Sequence, residues 1–360
     1  FNQGGVEIAD ANAGAGSINV SNNTFNVASG STYSNALRLK NNYTARTTTV
    51  STNTFTGHEW GISLENYQAV TIDDNIFTPI AASTTYRHIT VNTKELSSAS
   101  GFYAPVIGAT ITNNTFNGSG AAGGIGLAFY NHDNDAPVFN AFTIGSAGNE
   151  NNFDGTIGTY IYLDGQTGPT AAPVTTMAPW AVNLDAQNNT FGGASPAAMT
   201  LTQLFAVEDR IVHKIDNNVL GFVLVKANND YVTVNSFVAP ATTQASIQRG
   251  IDAASSGFTV NVAEGTYDEI NVKINKPLIL LGAQADVACG SRGAESIIQD
   301  LTTSSLPIFS VNSDDVTING FEVIDPWANS GIDAGATGPS NLNIKFNNIH
   351  NIGTLRGSGN

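Results

Sequence analysis

Short runs of alternating apolar and polar residues recur along this chain, each closed by Asn and then by a large apolar residue. Val70-Thr71-Ile72-Asp73-Asp74-Asn75-Ile76-Phe77 is one copy. Ile18-Asn19-Val20-Ser21-Asn22-Asn23-Thr24-Phe25, Val50-Ser51-Thr52-Asn53-Thr54-Phe55 and Ile111-Thr112-Asn113-Asn114-Thr115-Phe116 repeat it, as does Leu184-Asp185-Ala186-Gln187-Asn188-Asn189-Thr190-Phe191. Looser copies are Phe142-Thr143-Ile144 resuming at Asn151-Asn152-Phe153, Val316-Thr317-Ile318-Asn319-Gly320-Phe321, and Leu342 through Ile349. The alternation predicts short strands with one face inward and one in water. Asn tolerates left-handed backbone and bonds nearby backbone groups, so it turns the corner. The residue two places on points back inside.

One such unit cannot bury its own apolar face, but a stack of them can. Phe55 and Phe77 are 22 residues apart, the length of a single coil. The intervals from Phe25 to Phe55, Phe77 to Phe116 and Phe116 to Phe153 are 30, 39 and 37 residues. These read as a coil with an inserted loop, or as two coils with the second poorly marked. A further strand sits upstream in several coils, at Ala36–Leu39, Gly61–Leu64, Gly126–Phe129 and Tyr160–Leu163. Stacking predicts an amide ladder at the corners, from Asn23, Asn53, Asn75, Asn114 and Asn189. Phe25, Phe55, Phe77, Phe116 and Phe191 are the inward residues expected beside it.

A different pattern opens at residue 246. Ser246 is a fitting N-cap, and Ile247, Ile251 and Ala254 share one helical face, giving a capping helix at about 246–255. Phe258-Thr259-Val260-Asn261-Val262-Ala263-Glu264-Gly265-Thr266-Tyr267 and Leu278-Ile279-Leu280-Leu281-Gly282 follow it. On these residues the chain resembles the pectate-lyase-like superfamily, where such a pattern is the N-terminal cap and first coils. It is most similar to the large secreted surface and fibre proteins of bacteria that carry such solenoids in tandem. The resemblance implies an all-β fold: a right-handed parallel β-helix, or β-solenoid, with a short capping helix and a small hairpin connector. It does not choose a function, because this solenoid hosts lyases, hydrolases, epimerases, adhesins and passive fibres.

Three segments are expected. Residues 1–194 read as the closing part of a β-helix, interrupted by loops such as the Pro-rich stretch at 167–179. Residues 195–240 read as a connector. They contain a short helical pattern and two strands, Phe222–Lys226 and Tyr231–Val234, around an Asn228-Asn229-Asp230 turn expected to form a hairpin. Residues 241–360 read as the opening part of a β-helix. The first block thus has an ending and no beginning, and the last has the reverse. Joining Asn360 to Phe1 continues the coil rhythm. The expected arrangement is one permuted period of a tandem array, or separate copies stacked end to end, a heterologous open contact. The chain opens on Phe1-Asn2-Gln3 without an initiator Met, so it reads as a processed product or an excerpt.

Composition narrows the function classes. Of 360 residues, 41% are hydrophobic and only 12% charged, with 36 Gly, which suits tight-cornered coils rather than a helical or disordered chain. The net charge of −15 lacks the basic footprint of a nucleic-acid binder. It also argues against long polyanionic substrates, unless calcium or a local basic groove intervenes. Cys289 is the single cysteine, so no disulfide forms within the chain. No stretch reaches the ~18 apolar residues of a membrane span.

The candidate chemistry is sparse. Asp73 and Asp74 are candidate catalytic carboxylates, as clustered carboxylates serve in glycoside hydrolysis. Adjacent strand residues point to opposite faces, and equivalent positions in neighbouring coils are not acidic. The family's Gly-His-Gly and Arg-Ile-Lys motifs are absent. Asp314-Asp315 is a second acidic pair before a strand. Asp133 and Asp135, in His132-Asp133-Asn134-Asp135, are candidate calcium ligands, and calcium is the one cofactor the pattern admits. Seven scattered arginines show no cluster for β-elimination. Trp60, Tyr160 and Tyr162 are candidate carbohydrate-stacking residues, with Tyr67, Trp180 and Trp327 as further aromatics; Tyr160 and Tyr162 alternate along one strand face. Asn-x-Ser/Thr sequences occur at Asn22, Asn42, Asn113, Asn117 and Asn188, and several coincide with the corner Asn, whose structural role accounts for them. The expected function is a structural repeat of an extracellular filament or cell-surface adhesin whose partner is another copy of itself. The alternative is a polysaccharide-active enzyme or carbohydrate-binding protein on the same scaffold, with surface polysaccharide as partner.

Overall fold

In a computed structural model of the chain, the residues described are 5–9, 16–26, 35–41, 46–81, 83–94, 106–132, 138–167, 177–335 and 338–355. The Asp133 and Asp135 pair lies outside them. The chain divides into two compact units. One holds residues 1–200, 210–213 and 219–224; the other holds 201–209, 214–218 and 225–360. The segment read as a connector, 195–240, is therefore shared between them.

The first unit is a parallel β-helix. Its longest sheet stacks Val6–Ala9, Asn35–Lys40, Trp60–Glu65, Thr85–Lys94, Gly123–His132, Thr159–Leu163 and Ile211–Val212 in that order. A second sheet stacks Ile18–Ser21, Thr48–Ser51, Val70–Asp73, Ala109–Thr112 and Thr143–Ile144. A third stacks Thr24–Asn26, Thr54–His58, Ile76–Pro79, Thr115–Phe116, Asn151–Phe153 and Asn189–Phe191. Neighbouring strands pair in parallel and in register, as Val20 with Val50 and Val50 with Ile72. The strands therefore bury the same face in every coil: Val50, Ile72 and Ile111 are fully buried, as are Leu37, Ile62, Ile89 and Leu127 on the longest sheet.

The second unit is built the same way. Asn229–Val232, Thr259–Val262, Leu278–Leu281, Val316–Asn319 and Asn343–Lys345 form one parallel sheet. Gly265–Asp268, Ser296–Gln299, Phe321–Ile324 and Asn348–His350 form another, and Val272–Ile274, Phe309–Val311 and Ile332–Asp333 a third. The helix falls at Ile247–Ala253, with Ser246 capping it by accepting the Arg249 N–H at 3.1 Å. Glu269 reinforces that end, accepting from the Ser246 hydroxyl at 2.5 Å and from the Ile247 N–H at 2.6 Å. A carboxylate on the open N–H groups of a first helical turn is favourable for charge and hydrogen bonding alike. Ile247, Ile251 and Ala254 are all buried, as the helical face requires.

The hairpin expected at 222–234 is corrected. Asn228 does turn the chain in left-handed backbone, with φ 58°, but a single antiparallel bridge, Lys226 to Asn229, closes the turn. Val223–Leu224 then pairs in parallel with Leu184–Asp185, and Asn229–Val232 pairs in parallel with Thr259–Val262. Each strand carries residues that are buried, Val223 in one unit and Tyr231 and Val232 in the other. A free two-stranded ribbon would leave those faces in water.

The corners repeat one backbone device. Asn22, Thr52, Asp74 and Asn113, each just before a ladder Asn, have φ of 59°, 56°, 54° and 55°. A β-branched residue is poorly suited to this region. Thr52→Asn is accordingly expected to raise the thermal midpoint, by the equivalent of about 1 kcal/mol. Calorimetry of the parent and variant checks this; an unchanged or lowered midpoint would show that Thr52 is not strained.

Candidate functional sites: an amide and aromatic spine, and an outer-face strip

The ladder residues meet as a continuous spine. The Asn53 Oδ1 accepts both the backbone N–H and the side-chain amide of Asn23, at 2.9 and 3.0 Å. Asn75 does the same for Asn53, Asn114 for Asn75, Asn151 for Asn114 and Asn189 for Asn151, all within 2.9–3.2 Å. From Asn53 onward each amide also donates to a carbonyl of the coil before, as Asn53 to Val20 O and Asn75 to Val50 O. Asn53, Asn75, Asn114, Asn151 and Asn189 are essentially inaccessible, so these bonds are made away from water.

Beside the amides runs a file of rings. Phe25, Phe55 and Phe77 stack nearly parallel, with centroids 4.7 Å apart at each step. Phe116, Phe153 and Phe191 continue it at 5.2, 4.9 and 5.2 Å. Sequence reasoning left Asn151 and Phe153 out of the ladder. The turn from Gly145 to Glu150 separates them from their strand, Thr143–Ile144, and breaks the repeat's spacing. The Asn-Asn-Phe triplet itself was the available signal.

Asp73 and Asp74 belong to these corners. Asp73 Oδ1 accepts from Thr112 Oγ1 at 2.8 Å and Asn113 Nδ2 at 2.9 Å, which ties one coil to the next. Asp74 sits in left-handed backbone and faces Thr52 Oγ1 at 3.5 Å. Asp314 and Asp315 are used similarly, accepting from the Ser340 N–H and the Asn341 amide. Among the described residues the hydrogen-bond partners of both pairs are hydroxyl, amide and N–H donors of neighbouring coils, not the second carboxylate that acid/base hydrolysis uses.

The longest sheet presents a different set on its outer face. Arg38 is buried and bonds Glu65 through Nε and Nη2, at 2.9 and 2.8 Å, and Glu7 through Nη1 at 3.0 Å. Burial lowers the Arg38 pKa, but the Glu65 and Glu7 contacts outweigh it and the net shift is upward. Arg87 lies between two rings, its guanidinium carbon 5.3 Å from the Trp60 centroid and 5.7 Å from that of Tyr130. Its Nε donates to Tyr130 Oη at 2.8 Å. Tyr130 also neighbours His132 and Tyr162, at 5.1 and 5.9 Å between centroids. Tyr162 Oη donates to Asp164 Oδ1 at 3.1 Å, and His132 Nε2 stands 3.6 Å from Asp164 Oδ2. Burial, then the Asp164 charge, raises the Tyr162 pKa, so it stays a donor.

Trp60, Arg87, Tyr130, His132 and Tyr162 are half-buried, whereas Asp164 is wholly covered. The strip offers stacking surface and a cation. Its carboxylate has no access to a substrate. Tyr160 does not join it, contrary to its alternation with Tyr162. Its ring turns into the core over Phe153 and Phe191, at 5.8 and 5.0 Å, and its hydroxyl accepts from Arg210. Gly126, whose missing side chain leaves room beside the Tyr160 carbonyl and the Phe153 ring, permits this packing. Tyr67 and Trp180 are also fully buried.

No family model matches the chain, and no curated protein matches it. Among the described residues no helix is long and apolar enough to cross a membrane, and no three His, Cys, Asp or Glu side chains converge as a metal site.

Proposed function

We propose that the chain is a structural repeat of an extracellular filament or cell-surface adhesin, built on the solenoid of the pectate-lyase-like superfamily. Its partner is another copy of itself. The observation that carries this reading is the spine. Six amides and six rings are committed to bonding coil to coil along one axis, a geometry that any further coil of the same kind extends. The aspartates a hydrolase would use are instead spent tying those coils together. Negative-stain electron microscopy with native-size analysis tests this. Filaments with an axial repeat of one chain are the expected result.

A second reading is favoured by the outer-face strip, where Trp60, Arg87 and Tyr130 present rings around a guanidinium. Such a surface suits a polysaccharide that offers both apolar sugar faces and acidic groups. Compact monomers retarded in affinity electrophoresis by an acidic polysaccharide would replace the filament reading with this one.

A further inference from the structure

Every rung of the first unit's ladder has a polarity. The Asn of one coil donates its N–H and its amide forward, and the Asn of the next coil accepts both on Oδ1. Asn23, in the first rung, donates forward to Asn53 and accepts nothing on Oδ1 among the described residues. The second unit ends its coils in the same chemistry. Asn347 Oδ1 accepts the Phe321 N–H at 3.0 Å, and its amide donates to Ile318 O at 2.9 Å. These are the two backward bonds that Asn53 makes to Asn23 N–H and Val20 O. Forward, the Asn347 N–H and its second amide hydrogen donate to nothing among the described residues.

The backbone matches as well. Phe346, before Asn347, has φ 53°, and Asn22, before Asn23, has φ 59°. A phenylalanine in that region is uncommon, so the coil holds it there against its preference. Leu342 through Ile349 therefore superimposes in pattern on Ile18 through Phe25, with Ile344 opposite Val20 and Ile349 opposite Phe25. Ile344 and Ile349 are 45% and 43% exposed, whereas Val50 and Phe55, their equivalents inside the first unit, are fully buried.

We infer that the coil of Asn343–Lys345 and Asn348–His350 takes the first coil of a second copy. The Asn347 N–H and amide donate to that copy's Asn23 Oδ1. Asn343–Lys345 pairs in parallel with Ile18–Ser21, and Ile349 covers Phe25. Donors meet acceptors, the left-handed corners coincide, and two apolar faces leave water together. The contact presupposes the filament reading and specifies the surfaces through which it is made. It is the same whether the second copy is a separate chain or a neighbour in one polypeptide.

Parallel strands lie about 4.8 Å apart, a spacing a disulfide spans. The register places Asn348 opposite Thr24 of the second copy. In a Cys289→Ser background, a Thr24→Cys/Asn348→Cys variant should therefore give a ladder of covalent multimers on oxidation. An equimolar mixture of the two single variants should stop at the dimer. Ile349→Lys should raise the concentration needed for association about ten-fold or more, equivalent to about 1.4 kcal/mol. Because Ile349 is exposed in the single chain, its melting temperature at low concentration should not move. Filaments that persist in Ile349→Lys, without disulfide multimers in the double-cysteine variant, would overturn this contact and leave the filament reading standing. A parent chain that stays monomeric at every concentration overturns both.

Discussion

Asn75→Ala is expected to lower the stability of the first unit by about 3–4 kcal/mol. Asn75 is 1% exposed and sits mid-ladder. Its Oδ1 accepts from Asn53 N and Nδ2, and its amide donates to Val50 O, Asp73 O and Asn114 Oδ1. Truncation strands the Asn53 N–H out of water, at about 1–3 kcal/mol, and takes one partner each from the Val50 carbonyl and from the Asn53 amide, which keeps Val20 O and Ser51 O, at about 0.5–1.5 kcal/mol a bond. Some relaxation brings the sum to the figure given. A double Asn75→Ala/Asn114→Ala variant should lose less than twice as much, since the bond between the two is counted once. Urea unfolding followed by tryptophan emission reads this directly, because Trp60 and Trp180 both belong to that unit. A variant that unfolds with the parent would remove the ladder from any structural role.

The isosteric change Asn75→Asp separates shape from hydrogen bonding. It keeps the volume but points a carboxylate oxygen at three acceptors, so the charged form is disfavoured in the folded state. Its folded pKa then lies above the unfolded value near 3.9. A raised carboxyl pKa makes the folded state bind the proton more readily. Stability relative to the parent at the same pH should rise as pH falls below the folded pKa. Asn75→Ala shows no such recovery.

The spine was legible in the sequence because the three signals at each corner coincide. Val50–Phe55 and Val70–Phe77 each contain the alternation, the turning residue and the inward ring within eight positions. Where an insertion separated them, as between Ile144 and Asn151, the rung was missed although its residues were noted. The helix at Ile247–Ala253 was legible for the same reason: cap and apolar face are adjacent in the chain. The hairpin was misread because a turn at Asn228 says nothing about where the flanking strands find partners. Pairing is non-local, and burial of Val223 and Val232 in separate stacks decided it.

The outer-face strip was legible only in part: Trp60 and Tyr162 stand out as stacking aromatics, but their grouping with Arg87, Tyr130 and His132 does not. Trp60, Arg87, Tyr130 and Asp164 come from four successive coils, and the lengths of the intervening loops set which positions align. Arg87 lies opposite Trp60 in strand register, and neither residue belongs to the repeat pattern. A scatter of arginines in the sequence thus conceals one that is held between rings. The same non-local register buries two histidines that composition alone gives no reason to single out.

Those histidines make the fold acid-sensitive in a definite window. His58 and His88 are both fully buried, with His58 Nε2 3.0 Å from His88 Nδ1. One nitrogen donates and the other accepts, so at least one ring of the pair must be neutral for the bond to form. Phe77, Phe116 and Tyr86 enclose them. Burial pushes the His58 pKa down to about 4, and burial followed by the neighbouring His58 pushes His88 well below its ordinary value. Unfolded, each titrates near 6.5. Above that pH neither state binds the protons, and the pair has no effect on the pH dependence. Below it the unfolded chain takes up two protons that the folded chain refuses. Stability then falls by about 1.4 kcal/mol per pH unit for each histidine, or about 5 kcal/mol for the pair between pH 6.5 and 4.5. The His58 contribution levels off near pH 4, where the folded state protonates too. Carboxylates held below their usual range, such as Asp154, begin to cost stability only lower still. Replacing both rings together, as His58→Phe/His88→Phe, removes donor and acceptor at once and should cost little at pH 8. It should also flatten the decline between pH 6.5 and 4.5. Denaturant unfolding at half-unit pH steps measures both slopes. A double variant that declines as steeply as the parent would place the acid sensitivity elsewhere in the molecule.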